Sequence, residues 1–366
     1  MNLSIGIVGL PNVGKSTLFN ALLKKQQALV ANYPFATIDP NVGVVSVPDG
    51  RLDELAKIEK EEHKMSQDPP VKHATVEFVD IAGLVKGASE GQGLGNKFLS
   101  HIREVSVVAH VVRAFEDENI LKEGAVDPKS DYDTIRTELQ IADLETFSNM
   151  SEKALRTEVH KKSAVEKLKQ ALESGKNANQ IELSDEEREA IKELNLLTSK
   201  EEIVVLNVAE TDYNPSKIEQ TLGVYAGLLN IERQKIIVIS AKIEAELAAL
   251  SIAEQKEYLK DLGMEESGLE RLIKKAYEEL GLISFLTAGE KEVRAWTIRK
   301  GSTAVEAAGE IHTDFIKHFI KAEVISYSVF VSNGGWKGAR ENGKTRFEGR
   351  DYIVKDGEVV EFKIGS

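Results

Sequence analysis

A short glycine-bounded segment near the N-terminus has the residue types and the spacing needed to bind phosphate. It spans residues 9–17, between a predicted strand at 3–8 and an amphipathic helix that begins after Gly14. The glycines allow backbone N–H groups to converge on β- and γ-phosphate oxygens at a helix N-terminus. Lys15 supplies positive charge to those phosphates, and the Ser16 hydroxyl can bind Mg²⁺. We predict phosphate contacts from Asn12, Val13, Gly14, Lys15, Ser16 and Thr17.

An acidic residue and a nearby glycine follow a predicted strand at 75–79. The Asp80 carboxylate can hold a metal ion through a water, and the N–H of Gly83 can reach a γ-phosphate. Five glycines between 83 and 95 indicate a loop that reorganises when the γ-phosphate is present. The alternative is a flexible surface loop that signals nothing.

A threonine lies in the polar, proline-bounded stretch at 32–40. The hydroxyl of Thr37 can reach the open coordination position of the metal when nucleotide is bound. We therefore predict Mg²⁺ contacts from Ser16 and Thr37, and catalytic roles for Lys15, Thr37, Asp80 and Gly83.

These loops need a parallel sheet to position them. Short apolar runs alternate with amphipathic stretches, which predicts an α/β fold with a doubly wound, mostly parallel sheet. The predicted strands are 3–8, 42–47, 75–79, 105–112, 203–206 and 235–239.

The composition divides the chain further. Between about 130 and 200, apolar residues recur at helical spacing and Glu, Lys, Arg, Ala and Leu dominate, which predicts a helical, coiled-coil-like insertion. A first helical segment of roughly 40 residues would extend about 60 Å. This antiparallel arm either binds a partner or is a solvated hairpin without a ligand. We assign 1–129 and 201–280 to a nucleotide-binding domain, 130–200 to the insertion, and 281–366 to a small β-grasp domain.

The C-terminal part combines short strands with a basic cluster. We predict strands at 293–298, 324–331, 352–354 and 359–364, and a helix near 304–319. Residues 282–366 carry 13 basic and 12 acidic side chains, so their net charge is +1 in a chain of −13. Aromatic and basic residues alternate there, as in surfaces that stack on unpaired bases. The alternative is an ordinary surface loop with Trp336 in the core. The cluster consists of Trp336, Lys337, Arg340, Lys344, Arg346, Phe347 and Arg350.

Composition excludes several classes of protein. The chain has 366 residues, a formal charge of −13 and no cysteine. Disulfide scaffolds, Cys-ligated zinc, iron–sulfur clusters and thiol nucleophiles are therefore excluded. The N-terminus lacks a signal-peptide pattern, and no apolar run approaches the roughly 20 residues of a membrane helix. We expect a soluble, unprocessed, cytoplasmic protein with no membrane partner. We also expect a monomer.

Residues 9–17, 33–40 and 80–95 together resemble the Obg family of P-loop NTPases, of the TRAFAC class. Nearly the whole chain is similar to the Obg-like ATPases of YchF type, a ribosome-associated family. The segments 301–304, 308–312 and 334–336, with Phe315, resemble a TGS domain. The resemblance implies Mg²⁺ contacts at Ser16 and Thr37 and a role around translation. It also implies a ribosomal (large subunit or 70S) or RNA partner that binds the insertion and the TGS-like domain.

The expected base-reading loop departs from the guanine signature. GTPases of this fold read guanine with Asn-Lys-x-Asp, whereas the chain has Asn-Val-Ala-Glu at 207–210. The Glu210 side chain is one methylene too long for the bidentate contact, and losing such a pair removes about 1–3 kcal/mol of discrimination. Asn207 can contact adenine N6 and N7, and the Val208 carbonyl can accept an N6 proton. We predict that ATP is preferred and that Ser240 lies in the last base loop. The alternative is a strand-end turn unrelated to the base.

The residue that positions the attacking water is not evident. Leu84 occupies the place where many GTPases carry a glutamine. Some relatives use a histidine beyond the strand near 112, but 115–124 has none and carries Lys122. His101 and His110 are the nearest alternatives, and each is more simply a structural residue. Asn12 suggests K⁺ as a further cofactor, since an Asn here helps bind a monovalent cation in related loops.

We therefore expect a Mg²⁺-dependent ATPase that acts as a nucleotide switch, hydrolyses ATP to ADP and phosphate, and binds an RNA-containing partner. Two alternatives stay open. One is an Obg-type GTPase, and the other is a nucleotide-gated RNA- or ribosome-binding module with negligible turnover, which Leu84 favours.

Overall fold

The chain forms two compact units, each built from two separate stretches of sequence. The computed structural model describes residues 3–29, 41–81, 94–115, 127–150 and 158–365. The first unit consists of Met1–Val45 and Glu77–Leu272, and the second of Ser46–Val76 and Ile273–Ser366. Residues 46–76 thus belong with the C-terminal stretch, although composition alone assigns them to the nucleotide-binding domain.

The described strands and helices are numbered along the chain. The strands are β1 (Ser4–Val8), β2 (Val42–Ser46), β3 (Val71–Lys72), β4 (Thr75–Asp80), β5 (Val107–Arg113), β6 (Glu201–Asn207), β7 (Ile236–Ile239), β8 (Leu282–Thr287), β9 (Val293–Arg299), β10 (Phe319–Ser326), β11 (Arg346–Glu348) and β12 (Glu358–Ile364). The helices are α1 (Lys15–Leu29), α2 (Arg51–Glu62), α3 (Leu94–Glu104), α4 (Pro128–Ser148), α5 (Val159–Glu173), α6 (Asp185–Ile191), α7 (Pro215–Leu229), α8 (Ala241–Leu247), α9 (Ile252–Asp261), α10 (Gly268–Glu279), α11 (Ala304–Ile311), α12 (Thr313–His318), α13 (Tyr327–Ser332) and α14 (Trp336–Glu341).

A six-stranded sheet organises the first unit, in the order β2-β4-β1-β5-β6-β7. The pairings of β1 with β4 and β5, of β5 with β6, and of β6 with β7 are parallel. Every residue of β1 and β5 is buried. Strands covered on both faces form nearly continuous apolar runs, so their positions can be predicted from the sequence. The predicted parallel α/β sheet is confirmed.

The helices after β5 differ from the long arm expected. Helix α4 ends at Ser148, so it has 21 residues rather than roughly 40 and spans about 30 Å. Its inward face packs in the core with Phe98 and Ile102 of α3, through Ile135 and Ala142. This helix is therefore part of the first unit's core.

The second unit has a mixed six-stranded sheet in the order β11-β10-β12-β8-β9-β3. Strand β10 pairs antiparallel with β11 and β12, and β8 pairs antiparallel with β9. Strand β12 pairs with β8, and β3 with β9, in parallel.

Three of the predicted C-terminal elements are wrong in detail. The strand expected at 324–331 ends at Ser326, and helix α13 follows it, because the buried Phe330 packs edge-on against Trp336 at 5.3 Å. The helix expected at 304–319 breaks at His312, whose extended backbone and ring Nδ1 cap α12. Residues 352–354 form one isolated bridge, through Ile353, rather than a strand.

None of the helices within the described ranges combines the length and the apolar character needed to cross a bilayer.

Candidate nucleotide site

The loop between β1 and α1 is shaped by close backbone approaches. A Cβ on Gly9 would lie 2.6 Å from the carbonyl oxygen of Val111, and one on Gly14 would lie 2.4 Å from Nδ2 of Asn207. Gly14 also has a φ of +100°, which side-chain-bearing residues rarely adopt. The first helical bond runs from Leu18 N–H to the Gly14 carbonyl at 2.9 Å. The loop therefore holds a fixed turn directly at a helix N-terminus, where phosphate binds best.

Lys15 is folded back onto this loop. Its ammonium is buried and donates to the Leu10 carbonyl at 2.8 Å. Burial lowers the pKa of Lys15, and the neighbouring Asp80 carboxylate opposes that shift. Asp80 lies opposite Ile7 in the pairing of β4 with β1, and burial raises its pKa while Lys15 lowers it. Lys15 and Asp80 thus interact with each other. They are the residues expected to face the phosphates and the metal, respectively.

The donor set at the start of α1 fits Mg²⁺. Ser16 and Thr17 are exposed in the first turn of α1, so their hydroxyls are accessible. Hydroxyl and carboxylate oxygens suit Mg²⁺, which keeps several waters and takes few protein ligands. Consistently, the described ranges contain no group of three or more His, Cys, Asp or Glu arranged to hold a metal by themselves. Ser16 directly and Asp80 through water are the groups that would hold it.

Several predicted residues lie outside the described ranges. Thr37 and Gly83 are among them, as are Leu84 and Lys122. Asn12 is described; it is exposed and has a φ of +63° at the turn of the loop.

Asn207 ties two loops of the site together. Its Nδ2 donates to the Val13 carbonyl at 2.9 Å, and its Oδ1 accepts from the Ala241 N–H at 2.9 Å. The side chain is 3% exposed. These two bonds fix the phosphate loop against the loop that starts α8. The expected contact with adenine N6 and N7 stays a prediction, since each end of the amide makes only one of its two possible bonds here.

The other base-loop residues gather at the same place. Val208 is buried and donates its N–H to the Ile239 carbonyl at 2.8 Å, which joins the ends of β6 and β7. Ser240 is buried at the start of α8. Glu210 is half exposed and forms an ion pair with Lys242. The carboxylate at the position where GTPases read guanine is therefore paired with a cation at the surface.

A buried carboxylate that we did not predict supports this loop from behind. Glu244 of α8 is 1% exposed and accepts from Tyr213 Oη at 2.9 Å and from the Gly268 N–H at 2.6 Å. Burial raises its pKa. A Cβ on Gly268 would lie 2.6 Å from Tyr213 Oη, so only glycine fits there. In sequence, Glu244 looks like a surface residue of a charged helix, and nothing local signals its role.

The two candidate histidines occupy different environments. His110 lies inside β5, with Nδ1 at 2.9 Å from Oε1 of Glu202, and its ring stacks on Tyr132 at 5.0 Å. Tyr132 Oη donates to the other oxygen of Glu202 at 2.9 Å. His101 is exposed on α3. The buried network explains His110 structurally, in line with the simpler reading.

The C-terminal basic cluster is largely paired internally. Trp336 is buried and donates Nε1–H to the Ala288 carbonyl at 3.2 Å, as the alternative reading holds. Arg340 makes a bidentate contact with Glu323 at 2.9 Å, and Arg346 bonds Glu358 at 3.0 Å. Phe347 is 58% exposed, and the Lys321 ammonium lies over its ring, 3.5 Å from the ring centre.

Two family models match the chain. The one described as "50S ribosome-binding GTPase" matches residues 4–141. The C-terminal YchF-GTPase model, described as a protein of unknown function, matches residues 282–365.

Full-length relatives decide the family. The proteins named "Ribosome-binding ATPase YchF" from Bacillus subtilis strain 168 and Escherichia coli O157:H7 are 48% and 46% identical to the chain, over 99% of both partners. The chain belongs to the YchF family of P-loop nucleoside triphosphatases. The solved Schizosaccharomyces pombe YchF GTPase has 38% identity and a TM-score of 0.84, covering 99% of this chain and 98% of that one. Members of the YchF family are thus named both as ATPases and as GTPases.

Proposed function

We propose that this YchF-family chain is a Mg²⁺-dependent, ATP-preferring hydrolase that acts as a nucleotide switch. The observation that carries the proposal is the phosphate loop. Neighbouring atoms lie too close to its glycines to allow a side chain there, and its Lys15 is buried beside Asp80. Nucleotide binding would draw the ammonium from the Leu10 carbonyl to the β- and γ-phosphates.

The chain's own groups would stabilise charge on the transferred phosphoryl group. The N–H groups of residues 12–17 point from a helix N-terminus, and Lys15 adds a full positive charge in a buried setting. Ser16, and Asp80 through a water, would hold Mg²⁺, which would supply positive charge to the phosphate oxygens. Thr37 and Gly83 keep their predicted contacts with metal and γ-phosphate as part of this proposal.

The preference for ATP rests on Glu210 and Lys242. Guanine needs a free carboxylate that accepts from both N1–H and the 2-amino group. Here the side chain is that of Glu210, which is one methylene longer than the aspartate of GTPases, and its carboxylate is paired with Lys242. Adenine needs no such acceptor, and the Val208 carbonyl would accept its N6 proton.

The partner we propose is the ribosome or another RNA-containing assembly in the cytoplasm, bound by a monomer. The support is the name of the Bacillus subtilis and Escherichia coli relatives. As functional segments we propose 1–129 with 201–280, 130–200 and 281–366, with residues 46–76 moved from the first of these to the last. The insertion and the TGS-like domain would face the partner. Phe347 would be the stacking residue of that domain.

The test of the catalytic proposal is phosphate release from ATP by the full chain and by Lys15→Ala. We expect a loss of about 10²-fold in turnover at saturating ATP. Lys24→Ala, an exposed lysine on the same helix, should leave turnover unchanged. Unchanged release by Lys15→Ala at matched occupancy would favour the nucleotide-gated binding module.

Two further experiments test the cofactors and the ribosomal partner separately. EDTA should abolish turnover, and equal rates in Na⁺ and K⁺ buffers would remove K⁺ as a cofactor. Co-sedimentation with purified 70S ribosomes should differ between ATP- and ADP-loaded protein. Equal sedimentation in both states would contradict the switch.

An Obg-type GTPase is the second candidate. The N-terminal family model and the Schizosaccharomyces pombe structure are both named as GTPases, which favours this candidate. Equal displacement of labelled ATP by GTP would support it.

A further inference from the structure

A cleft in the first unit has no part in the nucleotide site. It encloses about 480 Å³ between the end of α3, the start of β5 and the segment 178–201. None of its lining residues belongs to the phosphate loop or to the base loops. A volume in this range suits a small ligand.

The lining of the cleft is positive in a chain whose net charge is −13. Four cations line it, against Glu104 and Glu201. Glu201 is held by Lys235 at 2.6 Å, which does not line the cleft. The four cations are Arg103, Arg188, Lys192 and Lys200.

The two innermost cations contact neutral oxygens within the described residues. Arg103 donates to the carbonyls of Leu194 at 3.3 Å and Asn195 at 3.2 Å, and to the Thr146 hydroxyl at 3.1 Å. Lys200 donates to the carbonyls of Arg103 at 3.1 Å and Val105 at 2.5 Å. Neutral acceptors fix the two side chains in place without cancelling their charge.

The buried carboxylate behind them is committed elsewhere. Asp143 attracts both Arg103 and Lys200. Its oxygens, however, accept from the N–H of Leu197 and from the N–H and hydroxyl of Thr198, at 2.7–2.8 Å. Burial, and then the neighbouring Arg103, lower the pKa of Lys200. An anion that enters the cleft, in addition to the Asp143 carboxylate, would stabilise the charged form of Lys200 and so oppose this lowering of its pKa.

Aliphatic side chains form one part of the remaining lining, beside the polar residues Ser106, Asn179, Asn195 and Ser199. The aliphatic side chains include Leu168, Ala178, Ile181, Leu183, Ile191 and Leu196. A site that places fixed cations beside an aliphatic wall suits an anion that carries an apolar or aromatic group.

We propose that this cleft binds a small phosphate ester. The phosphate lies against Arg103 and Lys200, and the organic part lies against the aliphatic wall. Arg188 adds positive charge around the phosphate, whereas Lys192 is paired with Glu189 at 3.1 Å. The site is distinct from the phosphate loop and does not depend on the proposed ATPase activity.

The test uses the full chain with its phosphate loop saturated by Mg²⁺ and ADP, titrated calorimetrically with phenyl phosphate. Inorganic phosphate tests the charge alone, and phenol tests the ring alone. We expect phenyl phosphate to bind at least about tenfold more tightly than either, and more weakly as salt rises. No heat up to about 10 mM phenyl phosphate, or equal binding of phenol, would overturn the proposal.

Variants locate the site. Lys200→Met keeps the aliphatic stem and should weaken phenyl phosphate by about tenfold or more. Arg188→Gln removes fewer internal hydrogen bonds and should weaken the binding of phenyl phosphate severalfold. If Lys200→Met does not fold, the affinity of Arg188→Gln tests the proposal. Lys162→Met removes an exposed lysine of α5 that pairs with Glu166 outside the cleft, and it should bind normally. Full affinity in both cleft variants would overturn the proposal. So would a single-stranded RNA that binds more tightly and displaces phenyl phosphate.

Discussion

Removing the Asn207 amide tests how the site is held together. Asn207→Ala breaks two bonds of 2.9 Å and leaves the Val13 carbonyl and the Ala241 N–H without their partner. A buried group left unpaired costs about 1–3 kcal/mol, so the two together cost about 2–6 kcal/mol. Part of this will appear as lost stability and part as lost nucleotide affinity, since the phosphate loop and the base loop are no longer tied. We expect affinity to fall about 10- to 100-fold.

The decisive readout is the ratio of the two nucleotides. Both bonds of Asn207 are made to the protein, so ATP and GTP should weaken by the same factor in competition against a fluorescent ADP analogue. If Asn207 instead contacts adenine, ATP will weaken and GTP will not. Asn207→Asp keeps the acceptor for Ala241 but turns a carboxylate oxygen toward the Val13 carbonyl. It should lose at least as much affinity as Asn207→Ala.

A matched control separates stability from binding. Asn214 caps α7 by accepting from the Lys217 N–H at 3.2 Å. Asn214→Ala should therefore cost about 1 kcal/mol of stability and leave nucleotide affinity unchanged. Unchanged affinity in both Asn207 variants, or loss of ATP binding alone, would refute the role given to this residue.

Three other perturbations have defined outcomes. Lys242→Ala frees the Glu210 carboxylate and should improve GTP relative to ATP by about two- to tenfold in the same competition; an unchanged ratio would contradict the pairing argument. Gly14→Ala should abolish nucleotide binding because its Cβ meets Asn207 at 2.4 Å, whereas Gly50→Ala, with nothing within 4 Å of its Cβ, should bind normally. Glu59 is fully buried without a hydrogen-bond partner; burial and then the neighbouring Glu62 raise its pKa to about 7, with His63 opposing the shift. The neutral form is the stable one, so its contribution to the unfolding free energy is complete below the unfolded pKa near 4.5 and falls as pH rises through 7. Urea unfolding should show a loss of up to about 3 kcal/mol between pH 5 and 8 that Glu59→Gln lacks, and parallel pH profiles would refute it.

The phosphate loop and the parallel sheet are readable from sequence for physical reasons. Strands such as β5 are buried on both faces, so their residues are mainly apolar, and His110 and Arg113 are the two polar residues of β5. The glycines of the phosphate loop are required by close backbone approaches, and they leave a fixed spacing in the chain.

Contacts between distant residues leave no local pattern. Asn207 reaches Val13 across 194 residues, and its environment rather than its type decides whether it bonds the base or the protein. Helix α13 reads as a strand because Val and Phe favour strands, yet packing of Phe330 against Trp336 outweighs that propensity. The same packing buries Trp336. From the sequence alone, Trp336 could have been either a core residue or part of an RNA-binding surface.

The measurement that tests the central claim most directly is calorimetric titration of nucleotide-free protein with ATP and then GTP, in Mg²⁺ and K⁺. We predict that ATP binds at least about tenfold more tightly, a difference of about 1.4 kcal/mol. Phosphate release followed on the same samples should show turnover of ATP. Equal or tighter binding of GTP would contradict the account of Glu210 and Lys242, and the chain would then be a GTPase of the same fold.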